Sequence, residues 1–306
     1  MIESRKVWLN GSLVDERAAT ISVFDRGFLF GDGVYELVRF FRCASNCPHR
    51  RIGDGMDLHV ARLERSLRLA EIRGFAAVEL PRICDAVLDA NDLDDAAVYV
   101  QITRGAGPTR SHVPQAPLTP TVLATATPCE PIERFAEPAS VRAITREDLR
   151  WSLCQIKTIS LMGNILALLD ADRHGATEAI LHRGGVVSEG AYTNVFAAIG
   201  DTLVTPPVDA EPPILHGVTR AQILATAEAA GLAPTVRPLH LDELQRADEV
   251  LITSSRRLVS AVVELDGVVV GDGTPGRAAR ALFEAMRRRI AHLCGFGLPT
   301  FARNSV

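Results

Sequence analysis

Apolar and polar residues alternate along the first third of the chain in the manner of half-buried β-strands. Residues 6–14 alternate on both sides of the pair Asn10-Gly11, which predicts two strands joined by a tight turn. Two later stretches instead carry an apolar residue every three or four positions, which predicts helices over residues 59–70 and 80–91. Further strands are predicted over residues 34–41, 97–103 and 121–126.

Residues 127–138 contain three prolines and separate this part of the chain from a second one. This composition is typical of a connection between domains, so we predict an interdomain linker over residues 127–137. Beyond it, helices are predicted over residues 159–174, 218–231 and 277–294. Strands are predicted over residues 178–187 (as a hairpin), 194–198, 203–205 and 249–253. The pattern favours a two-domain α/β (α+β) protein, with residues 1–126 in one domain and residues 138–306 in the other.

The composition excludes several classes of function. The 306 residues are 47% apolar and 23% charged, which is typical of a folded globular protein and not of a disordered chain. A formal net charge of −4 provides no basic surface for nucleic acid or anionic lipid. No apolar run approaches the roughly 18 residues of a membrane span, and no apolar leader is evident. We therefore expect a cytoplasmic protein without nucleic-acid or membrane partners.

The six cysteines do not form a ligand pattern for a metal ion. Cys43 and Cys47 are separated by three residues, but no second pair of Cys or His stands at the spacing of a zinc site. We expect reduced thiols and no metal centre.

Lysine is nearly absent from the chain, which makes one lysine conspicuous. Lys and Arg together number 33, yet the only lysines are Lys6 and Lys157. An arginine stays protonated in proteins, whereas a lysine amine can lose its proton, act as a nucleophile and form a Schiff base. Lys6 stands in a polar N-terminal stretch, but Lys157 is flanked by apolar residues that would partly desolvate it. Lys157 is therefore a candidate nucleophile, and the simpler alternative is an ordinary surface lysine.

Other segments could supply the partners of such a lysine. Glu189 lies among small residues where a strand is predicted to end, and a carboxylate there could keep a pyridine nitrogen protonated. Alone, it could equally be an exposed turn residue. Residues 217–219 stand at the start of a predicted helix, where unpaired backbone N–H groups can bind phosphate, although Thr219 could simply cap the helix. Further phosphate donors could come from the side chains of Arg62, Ser254 and Ser255.

Five motifs follow one another in a recognisable order. They cover residues 25–36, 59–63, 156–164, 178–196 and 217–220. Taken together, they resemble the motifs of the class IV (fold-type IV) aminotransferases, which depend on pyridoxal 5′-phosphate (PLP). The resemblance runs from Val7 to about Glu284, nearly the whole chain.

The resemblance implies a smaller N-terminal domain and a larger C-terminal PLP-binding domain with a β-barrel-like core. It implies that Lys157 forms the Schiff base with PLP and that Glu189 holds the pyridine nitrogen. The phosphate would be bound by Arg62, Gly217, Val218, Thr219, Ser254 and Ser255. Members of the family are typically homodimers, so a homodimer is expected here too.

A further segment concerns the substrate. Residues 101–114 are similar to the loop with which D-amino-acid aminotransferases trap the substrate carboxylate. The matching residues are Arg110 and His112, together with Tyr35, and an arginine can bind a carboxylate through two hydrogen bonds. The resemblance thus implies transfer of an amino group from a D-amino acid, such as D-alanine, to a 2-oxo acid, such as 2-oxoglutarate.

Several alternatives remain open on the sequence. Within the family they are a branched-chain L-amino-acid aminotransferase, an (R)-amine aminotransferase and an aminodeoxychorismate lyase. A different class would be a PLP-binding protein without transaminase activity. Three segments depart from the family pattern and bear on substrate preference: the pair Arg256-Arg257, the pair Ala191-Tyr192 and the long segment 42–55.

Overall fold

The computed structural model describes residues 5–297, and its N-terminal part is built on a six-stranded sheet. The strands are β1 (Lys6–Leu9), β2 (Ser12–Asp15), β3 (Gly33–Arg42), β4 (Arg51–Gly53), β5 (Ala96–Thr103) and β6 (Thr121–Pro128). All neighbours are antiparallel, in the order β2-β1-β6-β5-β3-β4. The strands predicted in this part of the chain are confirmed.

Three helices accompany this sheet: α1 (Arg26–Phe30), α2 (Met56–Leu69) and α3 (Leu80–Ala90). A 3₁₀ turn at Ala77–Glu79 leads into α3. The apolar faces predicted from the three-to-four-residue period are buried: Leu63 and Leu67 of α2 and Ile83 of α3 belong to the core under the sheet. Each such side chain stabilises the fold by about 1.5–3 kcal/mol when it is fully buried.

The C-terminal part is built on a nine-stranded mixed sheet. Its strands are β7 (Ala139–Glu147), β8 (Glu178–Arg183), β9 (Val186–Gly190), β10 (Asn194–Ile199), β11 (Thr202–Thr205), β12 (Ala233–Val236), β13 (Glu249–Ser254), β14 (Leu258–Leu265) and β15 (Val268–Val269). The order is β12-β11-β10-β13-β14-β7-β8-β9, with β15 paired to β14. Strand β9, at one end of this order, also contacts β10, so the sheet curls back on itself as a half-barrel.

Four helices pack around the second sheet: α4 (Met162–Arg173), α5 (Val218–Thr226), α6 (Leu241–Gln245) and α7 (Arg277–Leu293). Short 3₁₀ turns stand at Ile132–Arg134 and Glu228–Ala230. Helix α7 buries Leu282, Phe283 and Met286 in a core shared with Phe196 of β10 and Leu251 of β13. Within the described residues, no helix is long and apolar enough to cross a membrane.

The structure differs from the prediction in several elements. The short elements β4, β12, β15, α1 and α6 were not predicted, because two to five residues are too few to show a period. Strands β7 and β14 were not predicted either, because adjacent apolar residues interrupt their alternation. The helix predicted from residue 159 begins at Met162, because Thr158 forms a bridge with Val34 and Ser160 Oγ donates to the Gly31 carbonyl, which ties these residues to the first sheet. The connection between the two sheets starts at Cys129, since β6 continues to Pro128, and it ends where β7 begins.

The long segment 42–55 forms the hairpin between β3 and β4 and joins the two halves of the molecule. The Asp54 carboxylate accepts hydrogen bonds from Gln222 Nε2 (3.0 Å) and from Arg289 Nη1 (2.7 Å), which belong to the second half. The thiol of Cys43 lies against those of Cys47 and Cys294, and all six cysteines are free. These contacts give the segment a structural role at the junction of the two sheets.

Candidate active site

A cavity of about 830 Å³ opens between the two halves. Its walls come from one face of β3, from residues 150–164, from the turn between β9 and β10, from the start of α5 and from the end of β13. Of the residues predicted to act chemically, those lining it are Tyr35, Arg62, Lys157, Glu189, Gly217, Val218, Thr219, Ser254 and Ser255. A cavity of this size is typical of a site for a cofactor together with a substrate.

Lys157 is fixed to the first sheet through its backbone. Its carbonyl accepts a hydrogen bond from the Tyr35 amide (2.9 Å), and its amide donates to Ser66 Oγ of α2 (3.1 Å). The side chain is half-buried, with Nζ 4.3 Å from the centre of the Tyr35 ring. Among the described residues, Nζ has no hydrogen bond or ion pair. The backbone therefore holds a lysine whose amine is free to react in the cavity.

Glu189 is buried, with 4% of its surface exposed, and is not the exposed turn residue of the simpler hypothesis. Its Oε1 accepts from Arg150 Nη1 (2.9 Å), and its Oε2 accepts from Asn194 Nδ2 (3.2 Å) and from the Leu215 amide (3.0 Å). Burial raises the pKa of Glu189, while the ion pair with Arg150 and the amide donor oppose that rise. The carboxylate is thus positioned by three donors inside the cavity wall.

Two charged residues behind Glu189 were missed by the sequence analysis. Arg150 Nε and Nη2 each donate to Asp148 (both 2.9 Å), whose side chain is fully buried. Ser188 Oγ also donates to Asp148 (3.1 Å). Asp148 and Arg150 stand in an alternating run of charges that resembles an exposed loop, so the sequence carried no signal for this buried chain of ion pairs.

A cationic and hydrogen-bonding surface occupies another wall. Arg62 is held by Glu36 through two hydrogen bonds, Nε to Oε1 (2.8 Å) and Nη2 to Oε2 (2.7 Å), and it also donates to the His216 carbonyl. Helix α5 begins at Val218 without a side-chain cap, so its first N–H groups are left for a ligand. A Cβ at Gly217 would lie 1.8 Å from Asn194 Oδ1, so only glycine fits there. Thr219 does not cap the helix, which removes the simpler hypothesis for it.

The predicted carboxylate trap is not assembled within one chain. Tyr35 lines the cavity, but Arg110 and His112 do not. They lie on the loop between β5 and β6, where Arg110 packs 4.8 Å from the centre of the Phe30 ring and the His112 ring lies 5.4 Å from the same centre. Arg26 holds the loop by donating to the His112 carbonyl (2.9 Å). The loop therefore packs against α1.

A second buried glutamate supports the turn between β9 and β10. Glu178 is fully buried and accepts hydrogen bonds from the Ala179 amide (2.8 Å), the Ala191 amide (3.0 Å) and Thr193 Oγ1 (2.7 Å). Burial raises the pKa of Glu178 to about 7, because these donors do not offset the loss of solvent. The carboxyl group is therefore protonated in the folded protein over much of the mildly acidic range.

This shift predicts how Glu178 affects stability. Because the pKa rises from 4.5 in the unfolded chain to about 7 in the fold, the wild-type free energy of unfolding should fall as pH increases across that interval. Glu178→Gln keeps the acceptor oxygen and cannot ionise. We expect it to be more stable than wild type at pH 7.5 by about 3 kcal/mol and nearly equal at pH 4.5. Urea unfolding at the two pH values measures this, and an equal difference at both would contradict it.

The residues of the cavity fit a phosphorylated pyridine cofactor such as PLP. The uncapped start of α5 and Arg62 could hold a phosphate group. The Glu189 carboxylate could hold a protonated ring nitrogen, and the unpaired Lys157 amine could react with an aldehyde. Ser254 and Ser255, at the end of β13, add hydroxyl groups to the same cavity.

Comparison with known proteins agrees with this arrangement. Residues 33–265 match the family model described as amino-transferase class IV. The D-alanine aminotransferase of Bacillus licheniformis is 37% identical over 288 residues, which cover 93% of this chain and 97% of that protein. The D-alanine aminotransferase of Staphylococcus epidermidis is 36% identical, over 93% of this chain and 98% of the relative.

Solved structures share the fold over almost the entire length. The branched-chain aminotransferase of Thermoproteus uzoniensis with norvaline superposes with a TM-score of 0.83 at 26% identity, covering 95% of this chain and 96% of that one. The branched-chain aminotransferase of Escherichia coli has the same fold, with a TM-score of 0.82 over 99% of this chain and 98% of its own, at 24% identity. The α/β (α+β) fold predicted from sequence is thereby confirmed, and the chain belongs to the amino-transferase class IV family.

Proposed function

We propose that this PLP-dependent aminotransferase transfers the amino group of a D-amino acid, such as D-alanine, to a 2-oxo acid, such as 2-oxoglutarate. The observation that carries the D-preference is the 33–37% identity to D-alanine aminotransferases over 93% of the chain. The branched-chain aminotransferase of T. uzoniensis is 26% identical. Transamination of branched-chain L-amino acids is the second candidate, because solved structures of such enzymes share the fold.

In the proposed site, the phosphate group binds where positive charge and free N–H groups converge. Arg62 provides the charge, and its bidentate pairing with Glu36 keeps the guanidinium in one orientation. The first N–H groups of α5 add hydrogen bonds and the positive end of the helix dipole. The remaining phosphate ligands in this proposal are Gly217, Val218, Thr219, Ser254 and Ser255.

Lys157 and Glu189 are the proposed catalytic residues. When bound, PLP supplies an electron sink for the bonds at the substrate Cα. The Lys157 amine holds the cofactor before the substrate arrives and then takes the proton from the substrate Cα as a general base. Glu189 keeps the ring nitrogen protonated, which is the condition for the electron sink. Arg150 fixes the Glu189 carboxylate at 2.9 Å and balances its charge before the cofactor binds.

We further propose that a second copy of the chain completes the substrate site. Arg110 and His112 stand away from the cavity of their own chain, so a carboxylate trap that includes Tyr35 needs them from a neighbour. Helix α4 has an exposed apolar face that a second copy would cover. Its members are Met162, Ile165, Leu166 and Leu169. Their spacing of three and four residues places them on one side of the helix. Both observations support a homodimer.

The first test compares donors in the half-reaction. Cofactor-loaded protein is mixed separately with D-alanine and with L-leucine, and the absorbance of the cofactor is followed as it passes to its amino form. We expect D-alanine to convert the cofactor faster than L-leucine does. A preference for L-leucine or L-isoleucine over every D-amino acid would replace the first candidate by the second.

The same assay tests Arg110. In Arg110→Met, kcat/KM for D-alanine should fall roughly 30- to 1000-fold, because a charge-assisted contact to the carboxylate is lost. Binding of PLP should be unchanged, and an amine without a carboxylate, such as (R)-phenylethylamine, should react as with wild type. A loss shared by the amine would show that Arg110 does not act on the carboxylate.

Mixed dimers then tell whether Arg110 acts across the interface. Lys157→Ala lacks the reactive amine, and Arg110→Met lacks the trap. If each chain completes the site of its neighbour, refolding the two variants together in equal amounts regenerates one intact site in every mixed dimer. We expect about one quarter of wild-type activity after random mixing. Activity no higher than that of the separate variants would place Arg110 in the site of its own chain.

A further inference from the structure

One wall of the cavity carries a buried arginine that the proposed chemistry does not use. Arg39 lies on β3 with 2% of its surface exposed and lines the cavity. Among the described residues, its guanidinium donates one hydrogen bond, from Nη2 to the Glu130 carbonyl, and lies over the Phe41 ring at 4.8 Å. Its Nε is buried without a partner. A guanidinium has five N–H donors, so most of the hydrogen-bonding capacity of Arg39 is unused.

Within residues 5–297, no carboxylate forms an ion pair with Arg39. The two carboxylates close enough to act on it electrostatically are those of Asp95 and Glu130. Asp95 is paired with Arg42 (3.8 Å) and Glu130 with Arg134 (2.9 Å), and neither lies within 4.0 Å of the Arg39 guanidinium. Burial lowers the pKa of Arg39 to about 10, which still leaves it charged at neutral pH. A buried charge without a counter-ion is costly, and a bound anion would remove that cost.

Two more arginines stand beside it. Arg256 and Arg257 follow β13 in the turn before β14 and also line the cavity. Both are exposed and make no hydrogen bond or ion pair with the described residues. Arg256 is close enough to Arg39 to repel its charge, and both exert an electrostatic effect on Tyr192. The pair Arg256-Arg257 and Arg39 therefore form one cationic cluster.

The other arginines that line the cavity each have a carboxylate partner. Arg62 is paired with Glu36, and Arg150 with Asp148 and Glu189. Among the described arginines of the cavity, the members of the cationic cluster are therefore the ones without such a partner, in a protein whose formal net charge is −4. This distribution suits a ligand with an anionic group beyond those held by the phosphate site and the carboxylate trap.

The position of Arg39 along β3 indicates which part of a substrate reaches it. Tyr35, Leu37 and Arg39 point to one face of the strand and all line the cavity. Tyr35 is the residue that contacts Lys157, where the substrate Cα must lie. Arg39 is four residues further along, about 13 Å of extended chain. In the structure the guanidinium lies over the Phe41 ring, further along the strand than Tyr35. Turned toward Tyr35 by a change of rotamer, it would meet the far end of a substrate and not its α-carboxylate.

We propose that Arg39, Arg256 and Arg257 bind the side-chain carboxylate of an acidic substrate, namely D-glutamate or D-aspartate as donor and the matching 2-oxo diacid as acceptor. This inference rests on the proposed function, because it assumes that Lys157 marks the reacting carbon. The pair Arg256-Arg257, which departs from the family pattern, would then have a specific role. It would select for dicarboxylic substrates.

The test is a comparison of substrates with and without the distal charge. Half-reactions of the PLP-loaded protein are measured with D-glutamate, D-glutamine and D-alanine. D-Glutamine has the shape of D-glutamate and lacks its charge. In Arg39→Met we expect kcat/KM for D-glutamate to fall about 100-fold, with D-glutamine and D-alanine changed less than about threefold. Arg39→Lys should recover part of the D-glutamate rate.

Arg42→Met is the matched control, because Arg42 is exposed at the end of the same strand and does not line the cavity.

A second variant covers the case in which Arg39→Met does not fold. The double substitution Arg256→Ser, Arg257→Ser changes exposed residues only and should lower kcat/KM for D-glutamate about 3- to 10-fold relative to D-alanine. An unchanged ratio of D-glutamate to D-alanine in both variants would overturn the inference. An equal loss for all three substrates in folded Arg39→Met would also overturn it, because Arg39 would then serve the α-carboxylate or the fold.

Failure of the proposed function would look different. If wild-type protein converts no D-amino acid and accepts L-amino acids, the D-preference is wrong, and the same ratio is then measured with L-glutamate, L-glutamine and L-alanine. A selective loss of L-glutamate in Arg39→Met would still support the subsite. If wild-type protein converts D-alanine but Arg39→Met keeps the full preference for D-glutamate, only the subsite is wrong.

Discussion

Replacing Lys157 with alanine should abolish amino transfer while leaving the protein folded. The amine is the proposed nucleophile and the proposed general base, so both steps are lost, and the rate should fall by about four orders of magnitude or more. The half-buried side chain makes no hydrogen bond with the described residues, so its removal should leave the thermal midpoint nearly unchanged. Lys157→Arg should be equally inactive, because a guanidinium stays protonated and cannot replace the amine.

The second lysine provides the matched control. Lys6 is exposed, lies 3.9 Å from Asp15 and does not line the cavity. Borohydride reduction of the PLP-loaded protein should attach the cofactor to one peptide, the one containing Lys157, and Lys6→Ala should label and react as wild type does. Recovery of the label on Lys6, or a covalently bound cofactor in Lys157→Ala, would contradict the assignment.

The sequence predicted the parts of the fold and site that depend on an unusual residue, a regular period or a recognisable order of motifs. Lys157 stood out because arginine replaces lysine almost everywhere else, and the helices α2 and α3 followed from a period of three to four residues. Gly217 is the same kind of case. A glycine there is required by the close approach of Asn194, and it was found as part of a motif, before the contact itself was known.

The sequence was uninformative where a role depends on a contact between distant segments. Arg150 and Arg39 each stand in a stretch that contains other charges, and nothing local distinguishes a buried arginine from an exposed one. Their burial follows from the packing of β9 and of the connection after β6, which are remote in sequence. The direction of the loop carrying Arg110 has the same origin. Contacts with Arg26 and Phe30 set this direction, and these contacts leave no local pattern in the sequence, so the sequence identifies the residues of the trap but not their arrangement.

Glu189→Gln should retain bound PLP and lose transamination. A neutral amide cannot keep the ring nitrogen protonated, so the rate of proton removal from the substrate should fall about 10²- to 10⁴-fold. The phosphate site and Lys157 are untouched, so the yellow cofactor should still bind. Glu189→Asp should lose less, because it keeps the charge and only shortens the reach toward the ring. Absorbance of the bound cofactor and the single-turnover rate with D-alanine measure the two effects separately.

The buried ion pairs behind Glu189 indicate that Glu189→Gln should still fold, so that a loss of activity reports on chemistry. In Glu189→Gln the guanidinium of Arg150 keeps its two bonds to Asp148, so the variant should fold. Glu249→Gln is the matched control, because that carboxylate accepts hydrogen bonds from the first amides of α7 and does not line the cavity. It should react at the wild-type rate. If Glu189→Gln also turned over at nearly that rate, Glu189 would only anchor Arg150 and the Leu215 amide, and the protonation of the cofactor would have to come from elsewhere.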